Sequence, residues 1–149
     1  MTTKSLFKTW IGAENLNIYF HDEETDIQEH TTFKQYQKDD VDWNWGTYEV
    51  NLINLYPDKE SVTVYVGNLV RSNRVNSFTV AEFINKINNS CDVNIGDMGI
   101  DTSKGAQNYK NEDVTIKDLQ SGKTKYNWSN KVVLGWTFED GILFITTNV

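Results

Sequence analysis

Short runs in which apolar and polar residues alternate recur along this chain and point it toward a sheet-forming architecture. Leu16, Ile18 and Phe20 alternate with Asn17 and Tyr19, the two-residue period of a strand that buries one face. Tyr48, Val50 and Leu52 share a face over residues 47–55, and Ile53 and Leu55 then change phase as they would at a bulge. Val62, Val64 and Val66 alternate with Thr63 and Tyr65. Pro57-Asp58-Lys59-Glu60 lies between these runs with proline preset for a turn, so residues 47–66 are expected to form a hairpin. Residues 132–138 and 142–149 flank Glu139-Asp140-Gly141, a second hairpin that is apolar on both faces and is expected at the centre of the sheet. A third is expected where residues 114–119 and 124–128 flank Gln120–Lys123.

One segment has a helical period instead. Thr79 and Glu82 form a T-x-x-E capping box, and Phe78 and Phe83 are placed as a hydrophobic staple. Val80, Phe83, Ile84 and Ile87 then recur on one helical stripe, so a helix covering the sheet is expected over about residues 80–88. Residues 95–113 are polar and glycine-containing and read as a long loop. No internal repeat is evident. The expected fold is α+β and mostly β: a single domain over 1–149, with an antiparallel sheet of six to eight strands and one main helix.

Composition narrows the function classes. At 38% hydrophobic and 23% charged residues the chain is globular, and no apolar run is long enough to span a bilayer. The segment MTTKSLFKTWIG has no apolar h-region, so no secretory signal is expected. The single cysteine, Cys91, suits a reducing compartment, and the cytoplasm is the expected location. Net charge is −7, concentrated in residues 14–60, which carry 12 acidic against 3 basic side chains. Direct binding to nucleic acid would have to overcome that repulsion, whereas a basic protein would be attracted to it.

The densest candidate is DDVDWNWG, residues 39–46. Asp40, Asp42 and Asn44 match the start of an EF-hand loop, but Trp45 stands where its glycine belongs and Asn51 where its bidentate glutamate belongs. An EF-hand is excluded, and a looser calcium site stays open. Read as a strand, the segment places Trp43 and Trp45 on one face and Asp42 and Asn44 on the other. Upstream, residues 21–30 hold Asp22, Glu23, Glu24 and Asp26 together with both histidines. With Asp39, Asp40 and Asp42 these carboxylates are expected to form an acidic docking surface anchored by Trp43 and Trp45. Arg71 and Arg74, the only arginines, are candidates for holding an anion, with the Gly96–Gly105 loop adding backbone amides.

No catalytic motif is present: His30-Thr31-Thr32 has no second H-x-T partner, G-x-S-x-G is absent, and no histidine is near Cys91 in sequence. No cofactor or metal is expected. The sequence is therefore read as a non-catalytic acidic binding protein. It would dock on and block a basic, nucleic-acid-handling protein, as an inhibitor of the anti-defence or immunity type does. Two alternatives remain: a lectin-like β-domain stacking sugars on Trp43, Trp45 and Trp128, and a protein that sequesters a small anionic ligand such as a nucleotide. The oligomeric state is not readable.

Overall fold

A computed structural model describes residues 1–57, 60–67, 71–97 and 110–148. In chain order the elements are α1 (Thr3–Lys8), β1 (Asn17–Asp22), β2 (Gln28–Thr32), α2 (Phe33–Gln37), a 3-10 turn (Trp45–Thr47), β3 (Val50–Tyr56) and β4 (Ser61–Val66). They continue with α3 (Val80–Ile84), β5 (Asp92–Asp97), β6 (Asn111–Thr115), α4 (Ile116–Ser121), β7 (Val133–Glu139) and β8 (Ile142–Thr147). The fold is α+β and mostly β, but the strands build two four-stranded sheets rather than one, in the orders β2-β1-β4-β3 and β6-β5-β8-β7. Nor are the sheets purely antiparallel. The central pairs β1·β4 and β5·β8 run parallel, while the outer pairs are antiparallel. Alternation marks which residues share a strand face; it carries no information on which strand pairs alongside or in which direction.

Both outer hairpins, β3–β4 and β7–β8, form where the alternation places them. Asp58 and Lys59 of the first turn lie outside the described residues. The α3 cap is also as expected: Thr79 accepts from Glu82 N, Glu82 reaches back, and Phe78 packs edge-on against Phe83 at 5.7 Å. The helix is shorter than its apolar stripe, however, because Lys86–Asn88 leave it to bond the edge of β3. Four short helices occur among the described residues, not one main helix. The predicted third hairpin is absent. Thr115 and Asp118 make a capping box that starts α4 inside the supposed strand, and Gly122 at φ 73° ends it. The long loop expected over 95–113 contains the end of β5 and the start of β6.

The two halves repeat one another. Each runs helix, hairpin, helix, hairpin; each sheet has the same strand order; and the register shift at Val50/Leu52 recurs at Val133/Gly135. Glu29-x-x-Thr32-Phe33-Lys34 matches Glu112-x-x-Thr115-Ile116-Lys117, and Asn44-Trp45 matches Asn127-Trp128. Beyond these, identity at equivalent positions is sparse, as at Thr2/Thr79, Asp22/Asp97 and Val50/Val133, which is why the duplication escapes a reading of the sequence alone.

The halves also clasp each other. Residues leaving α1 bond the outer edge of β7 in the second half: Trp136 N donates to Thr9 O at 2.9 Å and Ile11 N to Trp136 O at 3.0 Å. Residues leaving α3 do the same to β3 in the first half, through Ile53 N to Lys86 O at 2.7 Å and Asn88 N to Ile53 O at 2.9 Å. The exchange is reciprocal, as an approximate two-fold relation between halves requires. It places bonded backbone along two strand edges that would otherwise invite pairing with another chain. Only β8 of the apolar last hairpin is central; β7 is an edge strand covered in this way. The inward residues of both sheets, among them Ile18, Phe20, Val64, Ile95, Trp136 and Leu143, belong to one buried cluster with Leu6, Phe7, Phe83 and Ile84 from the helices. Burial of each such side chain contributes on the order of 1.5–3 kcal/mol.

Candidate functional site

The segment DDVDWNWG is held by a clamp that recurs in both halves. After β2 and α2 the chain turns back along β2, and Glu29 accepts from Asp42 N through both carboxylate oxygens, at 3.1 and 2.9 Å. The same carboxylate accepts from Trp45 Nε1 at 2.7 Å. In the second half Glu112 accepts from Lys125 N at 2.7 Å, Tyr126 N at 3.2 Å and Trp128 Nε1 at 2.9 Å. Burial raises the Glu112 carboxyl, but these three donors outweigh it and hold the group below the usual carboxylate range. The sequence reading missed both glutamates. Their signal is the shared spacing of 16 residues from glutamate to tryptophan.

The clamp overturns the shared tryptophan face. Residues 41–43 bend instead of extending, and the 3-10 turn begins at Trp45. Trp45 is only 1% exposed and stacks on Phe20 at 5.0 Å with an interplanar angle of 9°. Trp43 points outward at 45% exposure. Trp45 is therefore core, not a surface anchor. Trp128 is buried as well, so the sugar platform loses two of its three indoles.

Asp39, Asp40 and Asp42 are all exposed beside Trp43. The second acidic stretch, Glu23, Glu24 and Asp26, forms the turn between β1 and β2 and is also exposed. β2 connects the two, since it begins at Gln28 after the turn and its Glu29 holds Asp42. Asp22 does not join this surface. It is 2% exposed and accepts from Glu24 N at 3.0 Å and Thr25 N at 3.4 Å, closing the turn from below. Burial raises the Asp22 carboxyl; hydrogen bonds from Glu24 and Thr25, with Arg71 nearby, reverse the balance and leave it lowered. Asp26 sits at φ 60° and meets His21 Nε2 at 2.8 Å. Glu23 accepts from Asn51 Nδ2 at 3.3 Å.

Asp22 and Glu112 thus bind protons more weakly folded than unfolded. Their contribution to stability is present above the ordinary carboxylate values, near 3.8 and 4.5, and is lost as pH falls through the lowered folded values. Urea-unfolding midpoints are expected to drop below about pH 4.5, with a flatter acid limb in Glu112→Gln.

The arginines are differently placed. The Arg71 guanidinium lies 3.7 Å over the Tyr48 ring. Burial raises the Tyr48 hydroxyl's pKa, an effect Arg71 opposes and Asp22 reinforces. Arg71 and Arg74 line one cavity of about 550 Å³ with Ser72, Asn76, Glu49 and Glu82. Of the glycine loop proposed to assist them, residues 98–105 lie outside the described residues, and Gly96 itself is part of β5. On the open face of the first sheet Tyr19 stacks on His30 at 4.4 Å and His21 meets Tyr65 at 5.4 Å. Both histidines therefore sit on strands. Burial and the neighbouring Asp92 push the Cys91 thiol up to about 11, so it is protonated and a weak nucleophile near neutrality. Among the described residues no three histidine, cysteine or carboxylate side chains converge to hold a metal ion, and no helix is long and apolar enough to cross a membrane.

The two clamped loops share a backbone detail that sequence does not. Asp40 N donates to Gln35 O at 2.9 Å, and Lys123 N donates to Asp118 O at 2.9 Å. The preceding residues are Asp39 at φ 59° and Gly122 at φ 73°. A left-handed residue other than glycine is disfavoured by about 1 kcal/mol. Asp39→Gly is expected to stabilise by about 0.5–1 kcal/mol and Gly122→Ala to destabilise by a similar amount. A Cβ at Gly122 would meet nothing within 4 Å, so no clash adds to that figure. Chemical denaturation of the two variants checks both signs.

No known family model, curated protein or solved structure matches this chain.

Proposed function

We propose that this chain is a non-catalytic acidic binding protein that docks on a basic surface of a nucleic-acid-handling protein and blocks it. Its carboxylates would take the positions of phosphates, and Trp43 would supply the apolar anchor. The observation that supports this most is the lack of internal neutralisation. Among the described residues the only ion pairs are Met1 N with Glu49 and His21 with Asp26. Glu24, Asp39, Asp40 and Asp42 are exposed, and among the described residues no cation lies within ion-pair distance of them. Rim carboxylates of this kind steer encounter and select a basic partner, while a desolvated aromatic supplies much of the affinity.

The test is capture from a lysate of the producing cells by wild type, by an Asp39, Asp40, Asp42→Asn variant and by Trp43→Ala. A basic nucleic-acid-binding protein is expected on wild type at low salt, released as salt rises and displaced by duplex DNA. Both variants are expected to retain much less of it. Retention indifferent to salt, DNA and both variants would sink the proposal.

A second reading has one observation in its favour: both arginines line the same cavity, and among the described residues neither forms an ion pair. A small phosphorylated or carboxylated ligand would bind there through the guanidinium forks. A thermal-shift response to pyrophosphate that is lost in Arg74→Ala, and kept in the triple aspartate variant, would select this reading over the first.

A further inference from the structure

The duplication allows the surface chemistry of the two halves to be compared position by position. What recurs is structural: the clamping glutamate, the threonine cap, the buried tryptophan and the bulge. What differs at equivalent, exposed positions is free of that duty. The sharpest difference lies in the two clamped loops. Residues 39–43 read Asp-Asp-Val-Asp-Trp, and their equivalents 122–126 read Gly-Lys-Thr-Lys-Tyr. Asp40 corresponds to Lys123 and Asp42 to Lys125, so the charge is inverted on the same backbone. An aromatic residue follows in each case, Trp43 in one loop and Tyr126 in the other.

The correspondence extends to the bonds that pin the two loops. In each loop the helix is followed by a left-handed residue, the next N–H returns to the helix, and a strand glutamate holds a backbone N–H 13 residues later and a tryptophan indole 16 residues later. Asp40, Asp42, Lys123 and Lys125 are all exposed. The basic loop is reinforced by Lys110, since the ammonium groups of Lys110 and Lys125 each lie 5.3 Å from the Tyr126 ring. One chain therefore carries an acidic loop with an exposed indole and, in the other half, a basic loop of matching shape with an aromatic ring.

We propose that these loops bind each other between copies: residues 39–43 of one molecule dock on residues 122–126 of a second. Within one chain each loop is pinned to the sheet of its own half, and among the described residues no ion pair joins the two, so the pairing is open to another copy. A contact between unlike patches is heterologous. It closes into a dimer if both loops of each molecule engage at once, and otherwise propagates head to tail. The contact adds a partner to the docking protein described above and does not need the basic partner protein, because it is tested with the purified chain alone.

Sedimentation velocity over a concentration series at low and high salt provides the test. The wild-type weight-average mass is expected to rise above 17.2 kDa with concentration at low salt and to return to it at high salt. The Asp40→Lys, Asp42→Lys double variant has two basic loops, and the Lys123→Asp, Lys125→Asp double variant has two acidic ones. Each alone is expected to weaken self-association at least about tenfold. An equimolar mixture of the two is expected to associate again, because each then supplies what the other lacks. The milder Asp40→Asn, Asp42→Asn and Lys123→Gln, Lys125→Gln pairs should weaken it too, and unchanged denaturation midpoints confirm that the folds are intact. A wild-type chain that stays monomeric at every concentration at low salt, or folded charge-reversal variants that fail to associate on mixing, would overturn the proposal.

Discussion

Trp136→Ala is expected to destabilise this protein by about 4 kcal/mol, within the range of about 3–5 kcal/mol for emptying a buried tryptophan site. The indole is 0% exposed and meets Trp10 at 4.9 Å, Phe83 at 5.2 Å and Phe7 at 6.3 Å. Its Nε1 donates to Leu6 O at 3.0 Å, so the truncation also removes a buried hydrogen bond and leaves that carbonyl with the Thr9 hydroxyl alone, at 2.7 Å. The residue lies at the strand position to which Thr9 and Ile11 bond from the other half, and the loss therefore reaches the clasp as well as the core. Ordinary domains have a total stability of about 5–15 kcal/mol, so the variant should stand near the edge of folding. Trp136→Phe keeps most of the volume but loses the N–H bond, and a smaller loss of about 1–2 kcal/mol is expected. Ile53→Ala, at the equivalent position of the first half, should cost about 3 kcal/mol. Urea unfolding gives the three values. The Trp136 amide and the Ile11 amide should also exchange with solvent faster in Trp136→Ala than in wild type. A loss under about 1 kcal/mol, with exchange unchanged, would show that the two halves hold together by other contacts.

The second large effect is expected at the clamps. Glu112→Ala removes the acceptor for the buried Trp128 indole and for two backbone N–H groups, and a loss of about 3 kcal/mol is expected, at the upper end for a charged hydrogen-bond acceptor. Glu29→Ala should be comparable, since it strands the Trp45 indole and Asp42 N. Glu→Gln at either position keeps one acceptor oxygen but turns an amide NH2 toward donors, and should cost about half as much. The clamps also connect stability to binding. Glu29→Ala releases the loop that carries Asp39, Asp40, Asp42 and Trp43, so capture of a basic partner should fall even at a temperature where the chain stays folded. Glu112→Ala should leave that capture unchanged while weakening the Lys123–Lys125 loop. Equal loss from both variants would mean that the loops do not present these residues independently.

Both effects rest on positions that differ in how far the sequence reveals them. The strand faces around Ile18, Val64 and Ile145, the two outer hairpins and the Thr79–Glu82 cap follow from residues within a few positions of one another, and they appear where the local pattern places them. The fate of DDVDWNWG does not follow in this way. As a bare string it alternates like a strand, and only Glu29, 16 residues before Trp45, turns the second indole inward and leaves the first outside. The α4 segment misleads for a related reason: Val114 and Ile116 alternate like a strand, while the aspartate at Asp118 completes a cap that glutamate more often signals.

The sequence by itself therefore determined the mostly-β class, the hairpins, the α3 cap and the concentration of negative charge between residues 14 and 60. Each of these is set by near neighbours or by composition. Only the tertiary structure decided the division into two sheets, the parallel central pairs, the reciprocal clasp and which tryptophans reach solvent. Those depend on which distant strand edge satisfies a backbone group and which distant acceptor meets an indole, as Leu6 O meets Trp136 Nε1 across 130 positions.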